Sequence, residues 1–277
     1  MRKTEWRHGS ASEPALFFIH GDFGDGFDTW GPVSTTIGRR YRTVTVDRPG
    51  FGGWLNHHDR FTIAGEAVSL MVVADEMGLE TFHLVGHSYG ALIALEMAVT
   101  HPGRVRTLHL IEPPLLDLLP ADTGVQHMRE TVRTIQAQHA DVGADATTEA
   151  FFTMIGAAHV PERLRGTQEW DRLCIFAERF ARGESVGDYP SQVLNRIPSE
   201  LPIGIYSGGR SHPVFRAIAM ALLRRLEGAR FTDVAMAGHA VQLSGDPFVG
   251  PLLALVTDAD ALWEQRNSPL DTDNARE

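Results

Sequence analysis

The chain has 277 residues, 43% of them apolar and 22% charged, enough to bury a full core and too apolar for a disordered chain. Acidic residues outnumber basic ones by 35 to 25, and the resulting net charge of −10 repels phosphate backbones and argues against nucleic acid as a partner. No apolar run approaches the roughly 18 residues of a membrane span, no hydrophobic stretch follows Met1–Trp6 to make a secretory signal, and the single cysteine, Cys174, excludes an internal disulfide and a cysteine-rich zinc site. The expectation is a cytoplasmic globular protein whose partner is a small molecule. Oligomeric state is not legible.

In chain order, Ala15–His20 is a short apolar run ending at a glycine and predicts a buried strand, and Tyr41–Asp47 predicts a second, closed by Arg48-Pro49-Gly50. A helical pattern over Thr62–Met77 leads to a strand at Phe82–Val85, a helix at Ala91–His101 and a fourth strand at Val105–Ile111. Two more strands are expected at Pro202–Ser207 and Ala229–Met236, with helices at Pro213–Leu226 and Phe248–Trp263. Strands that are apolar throughout and alternate with helices mean a mostly parallel, doubly wound sheet covered on both faces, an α/β fold. Between Pro114 and Ser199 the rhythm breaks: helical patterns at His127–Val142 and Trp170–Ala181 stand without a strong strand. We therefore divide the chain into a core (1–113 and 200–264), a helical cap (114–199) inserted after the strand ending near Glu112, and a loose polar tail (265–277). Ligands bind at the C-terminal ends of strands in such sheets, which places the cap over the site. There are no internal repeats.

The sharpest chemical signal is Gly86-His87-Ser88-Tyr89-Gly90, lying between a strand and a helix. A sharp strand-to-helix turn crowds its neighbours, so the flanking positions must be glycine, and the turn lifts the serine hydroxyl clear of the sheet beside helix N-terminal amides. Three other landmarks accompany it in order: His20-Gly21, Asp47-Arg48-Pro49-Gly50-Phe51-Gly52, and Gly238-His239-Ala240. With these four in sequence the chain resembles the α/β-hydrolase-fold proteins from about Leu16 to Trp263. The resemblance implies a serine nucleophile, Ser88, a late histidine base and a helical cap.

A serine hydroxyl is nearly inert at neutral pH and needs a base within hydrogen-bond reach. His239, in the loop after the last strand, stands where the family carries its histidine. The base needs a carboxylate to hold its tautomer. In much of the family this is an Asp after the strand read here as Pro202–Ser207, but the corresponding loop, Gly208–Pro213, has no acid, and Ser211 reads as a helix N-cap. Some members take the acid from the preceding strand, which points to Glu112. By the same resemblance the oxyanion hole consists of the backbone N–H groups of Tyr89 and Asp22. An aspartate at the second position must turn its carboxylate away from the developing negative charge or have it neutralised, and Asp25 and Asp28 add charge to the same loop.

His87, Phe23, Trp170 and Phe176 are candidates for lining the substrate pocket, while most of the cap's other large residues (Met128, Phe151, Phe152, Met154, Phe180) read as cap core. Gly21–Gly26 lacks the lysine of a phosphate-binding loop, His57-His58-Asp59 reads as surface rather than metal site, and Cys174 as a small buried hydrophobe. No metal and no cofactor is expected. The reading is a carboxylesterase or lactonase acting on a small, largely apolar metabolite through an acyl-enzyme on Ser88. Aminopeptidase or C–C hydrolase chemistry can use the same residues. A lyase or cyclase of a polyketide-like metabolite and a slow-turnover small-molecule receptor are the alternatives from other classes.

Overall fold

A strand whose every residue is apolar must find a dry surface on both sides, and Ala15–Ile19 does so. In the structure, a computed structural model that describes residues 3–6, 14–52 and 61–267, Leu16 and Phe18 face one side of the sheet and Ala15, Phe17 and Ile19 the other, all five at 0% exposure. The strands are β1 (Lys3–Trp6), β2 (Ala15–Ile19), β3 (Thr43–Val46), β4 (Phe82–His87), β5 (Val105–Ile111), β6 (Ile203–Gly208) and β7 (Arg230–Val234). They form one sheet in the order β1-β3-β2-β4-β5-β6-β7. Among the described residues only β1 runs antiparallel, paired to β3; the other pairings are parallel.

Helices α1 (Gly26–Ile37) and α9 (Asp246–Asn267) cover the face of Leu16 and Phe18. Opposite them lie α2 (Ile63–Glu76), α3 (Tyr89–Thr100) and α8 (Pro213–Arg225). Two elements escape the sequence reading. The Lys-Thr-Glu-Trp stretch of β1 has no apolar alternation, and in α1 the residues Gly26, Gly31 and Pro32 obscure the helical period. At the other end α9 continues to Asn267, so the first residues of the expected polar tail are helical; residues 268–277 lie outside the described part.

Between β5 and β6 the chain is helical, as the break in rhythm predicts: α4 (Thr123–Met154), α5 (His159–Leu164), α6 (Gln168–Cys174) and α7 (Ala177–Arg182). The expected His127–Val142 helix is the first arm of a longer α4 that breaks at Gly143 (φ 79°, ψ 178°) and resumes to Met154. The Trp170–Ala181 pattern splits into α6 and α7. This insertion rests on the core through Phe23, whose ring stacks on Phe151 at 4.2 Å and packs against Phe152 and Phe180.

A buried polar chain crosses the sheet. Asp260 of α9 meets His83 Nε2 at 3.2 Å, His83 Nδ1 meets Thr107 at 3.0 Å, Thr107 meets His109 at 2.8 Å, and His109 meets the Tyr206 hydroxyl at 2.8 Å. Burial, with His83 nearby, pushes the His109 pKa down to about 3. The folded state therefore keeps His109 neutral while the unfolded chain takes up a proton below the ordinary 6.5. Its contribution to stability is complete above that value and is lost as pH falls from 6.5 towards 3. The urea midpoint is expected to drop between about pH 7 and about pH 4, and less steeply in His109→Gln; parallel curves for the two chains would contradict this.

Candidate active site

β4 ends at His87 and α3 begins at Tyr89, so Ser88 alone makes the turn, at φ 53° and ψ −125°. Such a reversal brings backbones into contact. A Cβ on Gly86 would lie 2.6 Å from the Cα of Ala91, and one on Gly90 would lie 2.6 Å from the carbonyl oxygen of Ile19. The glycines of the motif are demanded by these approaches, not by their own dihedral angles. Among the described residues the non-glycine residues with positive φ are Phe23, Ser88 and Glu112, and all belong to the loops at the C-terminal edge of the sheet. Strain of this kind persists where the surroundings over-determine the backbone.

The structure brings Ser88, His239 and Glu112 together. His239 Nε2 lies 3.0 Å from Ser88 Oγ and Nδ1 lies 3.1 Å from Glu112 Oε2. A carboxylate only accepts, so Nδ1 carries the proton and Nε2 is left to accept from the serine hydroxyl. Ser88 and His239 are each 8% exposed and Glu112 is fully buried. Glu112 Oε1 also accepts from the Ser207 hydroxyl and the Gly208 N–H, each at 2.8 Å, and Oε2 accepts from the Ser211 hydroxyl. The loop that lacks an acid thus supplies donors to the acid of the neighbouring strand. Ser211 is consequently not the N-cap of α8. That role falls to His212, whose Nδ1 accepts from the Val214 N–H at 3.3 Å, with Pro213 opening the helix.

His87, a candidate for lining the substrate pocket, is bonded to the loop of His239. Its Nε2 donates to the carbonyl oxygen of His239 at 3.0 Å, its Nδ1 accepts from Gln242 at 3.4 Å, and its ring lies 4.9 Å from that of His239. Burial, reinforced by the neighbouring His239, lowers its pKa to about 3, so it stays neutral and its donor and acceptor roles stay fixed. Phe215 packs on the other side of His239 at 4.4 Å.

Asp22, the aspartate expected at the oxyanion hole, has a partner. Arg48 Nη1 lies 3.2 Å from Asp22, while its Nε and Nη2 grip Glu66 at 2.8 and 3.2 Å. Burial works against the charge of Arg48, yet Glu66 and Asp22 hold its pKa above the usual range. Arg179, from α7, also bonds Glu66 and donates from Nε to the carbonyl oxygen of Pro49 at 3.0 Å. His20 orients the loop: its Nδ1 donates to the Gly21 carbonyl at 2.7 Å, and its Nε2 accepts from the Arg48 N–H at 3.0 Å. A trans peptide sets C=O and N–H antiparallel, so the Asp22 N–H points away from that ring. Burial, with Glu66 nearby, raises the Tyr89 phenol above its usual range and keeps it protonated. Of these residues Arg48 stands within the Asp47–Gly52 motif, which does not reveal its partners, and Glu66 and Arg179 carry no local signal.

The remaining pocket candidates are used in packing. Phe23 joins the cap cluster, Phe176 packs on Phe51 at 5.1 Å, and Trp170 is buried within the cap with its indole N–H on Asp145 at 2.6 Å. Cys174, expected as a buried hydrophobe, is half-buried. Among the described residues no cluster of three or more metal-ligating side chains occurs, and no helix is long and apolar enough to cross a membrane. His57-His58-Asp59 lies outside the described residues.

A strand–serine–helix turn with an imidazole and a carboxylate in line stands at the C-terminal edge of this parallel sheet. The alpha/beta hydrolase fold model matches residues 14–246, and the chain belongs to that family. The dihydrolipoyllysine-residue acetyltransferase component of the acetoin cleaving system of Cupriavidus necator is 36% identical over 107 residues, 39% of this chain and 28% of that protein. The pimeloyl-[acyl-carrier protein] methyl ester esterase of Aeromonas hydrophila is 35% identical over 99 residues, 34% of this chain and 36% of that protein. Both matches thus span about a third of the relatives' own length. The enol-lactonase of Burkholderia xenovorans LB400 superposes with a TM-score of 0.73 over 92% of this chain and 96% of that one, and at 15% identity it shares the fold.

A fluorophosphonate reports serine reactivity without requiring a substrate. It is expected to label Ser88, and to do so at least ~100-fold more slowly in Glu112→Gln. Equal labelling rates would remove Glu112 from the support of the base.

Proposed function

We propose that the protein is a cofactor-free serine hydrolase that cleaves a carboxylic ester or lactone of a small metabolite through an acyl-enzyme on Ser88. The observation that carries this reading is the alignment of the Ser88 hydroxyl on His239 Nε2 at 3.0 Å with Glu112 on the opposite ring nitrogen at 3.1 Å. Esterase and lactonase relatives in the family support it.

Ser88 Oγ attacks the carbonyl carbon while its proton passes to His239 Nε2. The imidazolium so formed is stabilised by Glu112, whose other oxygen is held by Ser207 and Gly208 and cannot swing away. The carbonyl oxygen gathers negative charge against the backbone N–H groups of Tyr89 and Asp22. Arg48 balances the Asp22 carboxylate, which removes the electrostatic objection to an aspartate at this point. Collapse expels the alkoxide, which takes the proton from His239. A water then loses its proton to the same nitrogen, attacks the acyl carbon and releases the acid and the free serine. In a lactone the leaving alkoxide and the acid are two ends of one product. Reacting groups this enclosed call for a small substrate.

The test is hydrolysis of a p-nitrophenyl ester series from acetate to decanoate by the wild-type chain and Ser88→Ala. Turnover is expected only with Ser88, with a loss of at least ~1,000-fold in the variant. The absence of turnover above the Ser88→Ala background would overturn the general esterase reading and favour a narrow lactonase, a lyase or a receptor on the same scaffold.

A further inference from the structure

His87 is a buried, titratable group beside the nucleophile that no step of the reaction uses. It is the last residue of β4, and its ring borders two loops that carry catalytic groups. Its Nε2 meets the carbonyl oxygen of His239 at 3.0 Å. The oxyanion loop closes on it as well: a Cβ on Gly21 would lie 3.3 Å from His87 Nδ1 and 2.9 Å from the Cβ of Ser88. The Trp30 ring stands edge-on to the imidazole at 6.5 Å.

A carbonyl oxygen only accepts, so Nε2 carries the proton and Nδ1 keeps its lone pair. That choice dictates the next contact. Gln242, itself buried, presents its amide N–H to Nδ1 at 3.4 Å, and its Oε1 is left buried with no hydrogen-bond partner. Reversing the amide would require Nδ1 to donate and would strip the proton from Nε2, setting two lone pairs face to face at the His239 carbonyl. A buried acceptor without a partner is uncommon. It is tolerated here because the bond from His87 to His239 comes first.

The His239 ring is aligned through its two nitrogens, on Ser88 Oγ and on Glu112. The first of these bonds is given up when the serine proton moves, so the imidazole needs a further hold that takes no part in the reaction. Two backbone bonds fasten its loop: Arg210 N–H to the Ala237 carbonyl at 2.9 Å, and Val241 N–H to the His239 carbonyl itself at 3.0 Å. The former lies two residues before the base, and the latter is internal to the loop. His87 supplies what they lack, a bond from the chain at the nucleophile to the backbone of the base. It does so without charge. The two rings are 4.9 Å apart, and burial together with the nearby His239 lowers the His87 pKa to about 3, so no second cation opposes the imidazolium.

We propose that His87 is a positioning residue: its ring anchors the backbone of His239 to the chain at the nucleophile and thereby sets the alignment of the base on Ser88 and Glu112. The inference rests on the serine-hydrolase reading for the role of His239. The anchoring itself does not depend on turnover.

Three substitutions separate a donor from a filler of space. In His87→Gln an amide N–H stands near the position of Nε2, in His87→Asn the same amide falls short of it, and in His87→Leu the volume is filled without a donor. Folding is followed by urea denaturation and the reactivity of Ser88 by fluorophosphonate labelling. Alignment of the base is read from the downfield proton resonance of the His239 Nδ1–H, assigned by its absence in Glu112→Gln. His87→Gln is expected to label within about threefold of the wild-type rate and to keep the resonance, while His87→Asn and His87→Leu label about 10-fold or more slowly and lose it. Wild-type labelling in folded His87→Asn or His87→Leu, equal slowing in all three, or loss of folding in all three would each overturn the proposal. Should the wild-type chain itself resist labelling, the hydrolase reading falls and the resonance decides alone. Its persistence in His87→Asn and His87→Leu would then overturn the anchoring role, and its selective retention in His87→Gln would support it.

Discussion

The geometry of the site is referred to one backbone position. At φ 53° and ψ −125° Ser88 adopts a conformation that costs of order 1–3 kcal/mol for an L residue, and the cost is tolerated because the parallel strands on either side of β4 and the helix behind it leave no alternative path. Relaxing that turn would separate the hydroxyl from His239, and would also move Tyr89, whose N–H opens α3. The glycines at 86 and 90 let two neighbouring backbones close on the turn and hold it. The position of the Ser88 hydroxyl, the direction of the Tyr89 N–H and the entry to α3 are thus one constraint.

The carboxylate obeys a second constraint of the same kind. Glu112 stands just past β5, at φ 48°, and its N–H still bonds the Tyr206 carbonyl as a continuation of the ladder to β6. The backbone turns sharply while the side chain reaches under the end of β6 to Ser207 and Gly208. With donors on both oxygens, a fully buried carboxylate is compensated for the loss of water. Moving the acid one strand over has therefore changed which loop supports it, leaving the imidazole with the same kind of partner.

Legibility in the sequence follows the range of the interactions. β5 lies at Val105–Ile111 residue for residue, and the turn at Ser88 stands in its motif, because strand burial and glycine spacing are written locally. The places of Ser88, Glu112 and His239 after β4, β5 and β7 are likewise readable in the sequence, and the three side chains meet in the structure. What was illegible is what needs distant partners. Glu66 and Arg179 are 113 residues apart and meet only once α7 is laid on the core. Ser211 has the composition of an N-cap, but a buried carboxylate competes for its hydroxyl and wins, so His212 takes the cap. His87 shows the same limit: its place beside the nucleophile says nothing of direction, and the ring turns to the His239 backbone. The break at Gly143 and the separation of α6 from α7 needed the packing of the cap, since the apolar period runs on across both.

The ion pair between Arg179 and Glu66 joins a helix of the cap to a helix of the core, and both side chains are almost wholly withdrawn from water. Separating these two helices would mean rehydrating two charges that packing has already desolvated. A pair of this depth resists separation and is poorly screened by salt. Glu66 is also held by Arg48, so its carboxylate is oriented from the core as well as from α7. The seat of α7 on the core is thereby organised by the same arginine that pairs with Asp22.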